Sequence, residues 1–172
     1  MHRILLLAAT ATMVIITISG IISRADTLTP PSYAAALCPD GHVALMVALR
    51  ADQSADDTIG LYKTAKSIYD ACENDLISAR NRDNSAAWCS IMSIRAQIDA
   101  ASIERDRKES KGEQDDLSWA ASDVDLTIRI LNITDPTIDA WLSSLRELVQ
   151  RVPDGANVDW SDMPDLYRPA GF

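Results

Sequence analysis

Three cysteines, at 38, 72 and 89, and the single histidine beyond the first few residues, His42, are the side chains best suited to covalent or metal chemistry. Their spacing directs that chemistry to a crosslink. Cys72 and Cys89 flank the polar stretch Arg80-Asn81-Arg82-Asp83-Asn84-Ser85, which is rich in turn and N-cap residue types. With a chain reversal near residue 82, the two thiols stand about ten and about seven residues up facing helices, a height difference of ~4.5 Å. The expectation is a Cys72–Cys89 disulfide, with Cys38 as a free or intermolecular thiol. Pairing of Cys38 with either partner stays open, because nothing fixes the position of the first element.

Chemistry beyond cysteine is sparse. The sequence holds no HExxH, no CxxC, no GxSxG and no phosphate-binding glycine loop. A zinc site or a histidine-dependent triad would rest on His42 alone, so no catalytic, cofactor-binding or metal-ligating residue is assigned and no cofactor is expected. Acidic pairs occur at Asp56-Asp57, Asp115-Asp116 and Asp123-x-Asp125, where they read as first helical turns and solvated faces. The tail segment Asn157-x-Asp159-x-Ser161-Asp162 alternates oxygen donors but lacks the glycine and the closing glutamate of a calcium loop. Glu104 to Asp116 mixes both charge signs, with Glu104 and Lys108 at the favourable i, i+4 step, and reads as a solvated helix end and loop.

The elements that must position these residues read as helices. All seven prolines lie at 30, 31, 39, 136, 153, 164 and 169, so Asp40 to Asp135 has none, and Leu61 to Lys111 has no glycine either. Leu61, Ala65, Ile68, Cys72, Leu76 and Ala79 form one seam at steps of three and four, and Ala87, Ile91, Ile94, Ile98 and Ala101 form the next. Two antiparallel helices follow, the first capped by Ser54 and ending near Ala79. The second starts near Ser85, reaches about Lys111 and stops at Gly112. A third helix, about 113 to 132, has a seam of Leu117, Ala121, Val124, Ile128 and Leu131. A fourth, opened by Asp135-Pro136, turns Ile138, Trp141, Leu142, Leu145, Leu148 and Val152 inward. The apolar run Val43 to Leu49 reads as a short helix on its Ala, Leu and Met content. The fold class is therefore all-α, a small antiparallel bundle of four to five helices over 42–152. An extended lead-in at 26–41 precedes it and an irregular aromatic tail at 153–172 follows.

Residues 1–25 read as a signal peptide: a short basic start, an uncharged run from Ile4 to Ile22, then Ser23-Arg24-Ala25 before the cut. An uncleaved membrane anchor over 4–22 is the alternative, since that run approaches a bilayer span. The chain carries 16 basic and 25 acidic residues, a net charge of −9, which becomes −11 if Arg3 and Arg24 leave with the leader. Such a surface repels nucleic acid and anionic lipid and suits a basic protein partner. The sequence thus reads as a secreted or periplasmic helical protein acting by protein–protein binding, of the envelope-inhibitor or immunity type. The alternatives are an anchored component of an envelope assembly and a hydrolase with an unrecognised carboxylate site.

Overall fold

The computed structural model describes residues 36–79 and 84–154, and the leader and the aromatic tail beyond 154 lie outside them. The described chain is helical throughout, without a strand: α1 (Pro39–Arg50), α2 (Thr58–Ser78), α3 (Asn84–Asp106), α4 (Ser110–Ile130), α5 (Pro136–Arg151) and one 3₁₀ turn (Val152–Asp154). The expected all-α bundle is observed. α2 and α3 form the hairpin at its centre, α4 and α5 pack on α3, and α1 packs on α2.

α3 is the hub, and every residue from Ser85 to Ile98 is buried. Its expected seam is buried, but so are the faces beside it, because α2, α4 and α5 each take one side. Ala86, Ala87, Ala96, Ala100 and Ala101 keep the helix thin enough for three neighbours to approach. Against α5 the contact is dry. Ile138, Trp141, Leu142, Leu145 and Leu148 are buried as their spacing requires, and Trp141 meets Trp88 of α3 edge to face, with centroids 6.0 Å apart. Asp135 caps α5 by accepting from the Thr137 amide at 2.8 Å, with Pro136 at the first helical position. Asn84 ties the start of α3 to the same corner, its Oδ1 accepting from the amides of Thr134 and Asp135 at 3.1 and 3.2 Å.

Several boundaries differ from the sequence reading, each for a local reason. Pro39-Asp40-Gly41 is the first turn of α1, where proline loses no hydrogen bond. Ser54 does not cap α2. It closes a turn in which Asp52 Oδ1 accepts from its amide and hydroxyl, and the helix begins at Thr58. α3 stops at Asp106, before Gly112. The Lys108 amide returns to the Arg105 carbonyl and the Glu109 amide to that of Glu104, with Lys108 at φ 62°, which is a Schellman ending built without glycine. The α4 seam is rotated from the expected one: Ala120 and Thr127 are buried, while Ala121 and Ile128 are exposed. α4 buries polar Asp116 and Thr127, and a seam drawn from apolar residues alone misses that face.

Candidate functional site

The cysteines are placed otherwise than expected. Cys38 is joined to Cys72, with Cα atoms 6.0 Å apart, and Cys89 is a buried free thiol. Cys72 lies half-buried on the side of α2 that receives α1, and Cys38 sits at the N-cap of α1 directly over it. Gly41 allows this approach, since a Cβ there would stand 2.8 Å from Cys38 Sγ and 3.1 Å from the Tyr69 ring. Cys89, one position off its seam, is buried near Tyr69 and Glu73 of α2 instead. The crosslink closes a 34-residue separation. It should stabilise the fold by about 4 kcal/mol on chain-entropy grounds, and it is compatible with an extracellular or periplasmic location. Burial and the nearby Glu73 push the Cys89 thiol up to about 12, so it is not a nucleophile at neutral pH. His42 is half-buried on α1, and burial lowers its pKa.

A polar seam runs where α2, α3 and α4 meet, and sequence reasoning did not find it. At one end Lys63 Nζ reaches Glu104 Oε1 at 2.8 Å and Asp116 Oδ2 at 3.1 Å. Glu104, expected at a solvated helix end beside Lys108, is 3% exposed and belongs to this cluster. Burial and the neighbouring Asp116 raise its carboxyl, while Lys63 opposes the rise. Gly112 makes room, because a Cβ there would fall within 2.8 Å of all three atoms of the Glu104 carboxylate. One turn along, Lys66 bonds Asp70 at 2.7 Å and stands 3.5 Å from Asp123, while Ser93 donates to Asp70. At the far end Glu73 hydrogen-bonds Ser90, Ser90 bonds Thr127, and Thr127 donates to the Asp123 carbonyl at 2.7 Å. Burial, with Asp70 and Asp123 nearby, lifts Glu73 to about 7. The Ser90 hydroxyl and Lys66 act the other way, favouring its charged form, and burial prevails.

The seam pairs its carboxylates with Lys63 and Lys66, although Glu104 Oε2 has no hydrogen-bond partner among the described residues. An open concavity lies elsewhere among the described residues: a cleft of about 840 Å³ between the α1–α2 connection and the C-terminal half of α3. Leu49, Ile103 and the Tyr62 ring supply apolar wall, and Asp56, Asp99 and Asp106 supply carboxylates. Tyr62 is driven up to about 12 by burial and by Asp99. The arginine in the cleft lining, Arg107, is engaged by the chain itself, and the neighbouring Arg105 and Arg95 have partners of their own. Arg107 donates to the carbonyls of Gln53 and Ala55, which pins the connection to α3. Arg105 bonds Asp106 at 3.0 Å and the Val152 carbonyl at 3.3 Å, and buried Arg95 stands 3.8 Å from Asp99. The perturbed carboxyls Glu73, Glu104 and Asp123 do not line this cleft.

Among the described residues no group of three or more histidine, cysteine or acidic side chains could hold a metal ion, and no helix is long and apolar enough to cross a membrane. The scan against protein-family models and the searches of curated proteins and of solved structures found no match to this chain.

Proposed function

We propose that this protein is an exported, non-catalytic binding domain for a basic protein partner. The observation that carries this reading is the composition of the cleft: three carboxylates, an aromatic ring and aliphatic side chains in its lining, with its own Arg107 committed to backbone carbonyls. Such a site suits a lysine or arginine side chain, whose stem lies along Leu49, Tyr62 and Ile103 while its head meets Asp56 and Asp106. The net charge of −9 would steer a basic protein toward it. The carboxyls with raised pKa sit in the seam between helices, where they hold helices together rather than face a cleft, and this favours binding over hydrolysis.

Cross-linking in the native source, followed by binding kinetics with the captured partner, tests the proposal. The association rate should fall roughly tenfold or more between low and physiological salt. Asp56→Asn with Asp106→Asn, both at exposed positions, should weaken affinity by about three- to tenfold without lowering the melting temperature. A partner bound with salt-independent kinetics and full affinity for the double variant would overturn the reading. So would turnover of a substrate abolished by one carboxylate substitution.

A further inference from the structure

Where α2, α3 and α4 meet, one lysine stands between two buried carboxyls. Lys63 Nζ meets Glu104 Oε1 at 2.8 Å and Asp116 Oδ2 at 3.1 Å, and the two acidic side chains are only 4% and 12% exposed. With both ionised, the cluster would keep an uncompensated negative charge out of water, which is a costly state. Two atoms mark the same deficit. Glu104 Oε2 and Asp116 Oδ2 are buried, and no well-directed hydrogen bond reaches either of them among the described residues, the Lys63 contact to Oδ2 being an ion pair. Carboxylate oxygens only accept, so the two groups cannot serve each other while both are charged. A single proton removes both faults: a protonated Glu104 donates to Asp116, which lies within its hydrogen-bonding reach, and one ammonium then balances one carboxylate.

The next cluster along the seam shows the arrangement without this constraint. There too one lysine meets two carboxylates, Lys66 with Asp70 at 2.7 Å and Asp123 at 3.5 Å, but these are 38% and 30% exposed and Ser93 donates to Asp70. Solvent and a hydroxyl serve the spare oxygens, so no proton has to be shared. The charges acting on the Glu104 carboxyl are Lys63 from α2 and Asp116 from α4. Lys108 on its own side of the turn and Lys111 on α4 are exposed, Glu113 is half-buried next to Gly112, and Arg105 is committed to Asp106 and to the Val152 carbonyl after α5. We infer that Glu104 and Asp116 share one proton, held on Glu104 and donated to Asp116, and that this hydrogen is a pH-operated latch between the end of α3 and the first turns of α4. The hinge is the connection at 107–109, where Lys108 stands at φ 62°, a conformation that an L residue keeps only where its surroundings impose it. When the proton leaves, two buried carboxylates face each other across one ammonium, water enters, and the start of α4 turns outward about Lys108. Burial first, and Asp116 with it, raise the Glu104 carboxyl against the opposing pull of Lys63, so the closed state binds the proton more tightly than the open one. The latch is therefore closed at low pH and opens as pH rises through the folded-state titration of Glu104, above its ordinary value. It stands independently of the cleft.

The test follows the whole isotope-labelled protein by nuclear magnetic resonance from about pH 4 to about pH 9. The side-chain carboxyl carbons of Glu104 and Asp116 report the proton, and hydrogen exchange at the amides of 114–117, corrected for the intrinsic rate, reports the latch. One proton should persist in the pair after the exposed carboxyls of the chain have ionised. Its loss should coincide with a fall of about tenfold or more in protection at 114–117 relative to the amides of 142–149 in α5, a comparison that removes changes in global stability. Glu104→Gln puts a permanent N–H donor where the proton was, so the relative protection at 114–117 should stay high and no longer depend on pH. A plain Lys63–Glu104 ion pair would instead lose protection at every pH in that variant. Asp116→Asn removes the second carboxyl, and Glu104 should then ionise at lower pH than in the native protein. Ionisation of both groups together with the exposed carboxyls would overturn the inference, as would loss of the proton without a change in relative protection. A Glu104→Gln protein that is unprotected or still pH-dependent at 114–117, or an unmoved Glu104 titration in Asp116→Asn, would do the same. The native titration and exchange decide the matter even where a variant fails to fold.

Discussion

Two sides of α3 solve the same burial problem in opposite ways. Toward α5 the contact is Trp88 against Trp141, with Ile138, Leu142 and Leu145 around them. Toward α2 and α4 it is threaded with Lys63, Lys66, Asp70, Glu73, Glu104, Asp116 and Asp123, linked through Ser90, Ser93 and Thr127. An apolar contact tolerates small shifts, since area removed from water has no direction. A polar contact does not, because each buried oxygen left without its hydrogen costs about 1–3 kcal/mol. The difference assigns the two sides different work: α5 supplies stabilisation, whereas the seam fixes the rotation of α2 and α4 about their own axes.

Breaking the dry side should have the largest effect. Trp141→Ala removes a fully buried indole and the edge of Trp88, and should cost about 3–5 kcal/mol in chemical denaturation. The loss should be the same at pH 5 and pH 8, as no titrating group is involved. A loss below about 1 kcal/mol would mean that α5 contributes far less than its burial implies.

A smaller effect is expected from Gly112→Ala, which adds one methyl to the wet side. On an ordinary helix that exchange stabilises by about 1 kcal/mol. Here the new Cβ meets the Glu104 carboxylate and displaces it from Lys63, so a net loss of about 1–3 kcal/mol should appear in thermal unfolding. A stabilised variant would show that Glu104 can leave the seam freely.

The same contrast explains what was legible beforehand. The residues of α5 were read correctly from end to end, from the Asp135 cap to Leu148, because an amphipathic helix on a dry contact writes its packing into apolar spacing. α4 was misread by a fraction of a turn, since Ala121 and Ile128 are apolar yet exposed, while Asp116 and Thr127 are polar yet buried. Glu104 was assigned to solvent because its partners, Lys63 and Asp116, are distant in sequence, and a pairing rule confined to i, i+4 finds only Lys108. The cleft was invisible for the same reason, as its lining joins α1, the following connection, α2 and α3. The cysteine pairing failed on a single unknown, the side of the α2–α3 hairpin on which α1 lies. Gly41 carries a trace of the answer: a glycine in the first turn of a helix, three residues after a cysteine, marks a close approach there.

The central claim, that α3 is held on one side by carboxyls working under pressure from one another, predicts a dependence on pH that a dry bundle lacks. Glu73 keeps its proton up to about pH 7 in the folded chain and releases it near 4.5 when unfolded. Between those values the folded state binds more protons, so stability should fall as pH rises through the window and level off above it. Partial exposure of Glu73 screens the effect, which should amount to roughly 1–2 kcal/mol. Denaturant unfolding of the native protein and of Glu73→Gln from pH 4.5 to 8 measures this most directly. The account predicts a declining curve for the native protein and a flatter one for the variant, with Glu73→Gln the more stable of the two at pH 8. Two parallel curves, or a native stability that rises through the same interval, would contradict it.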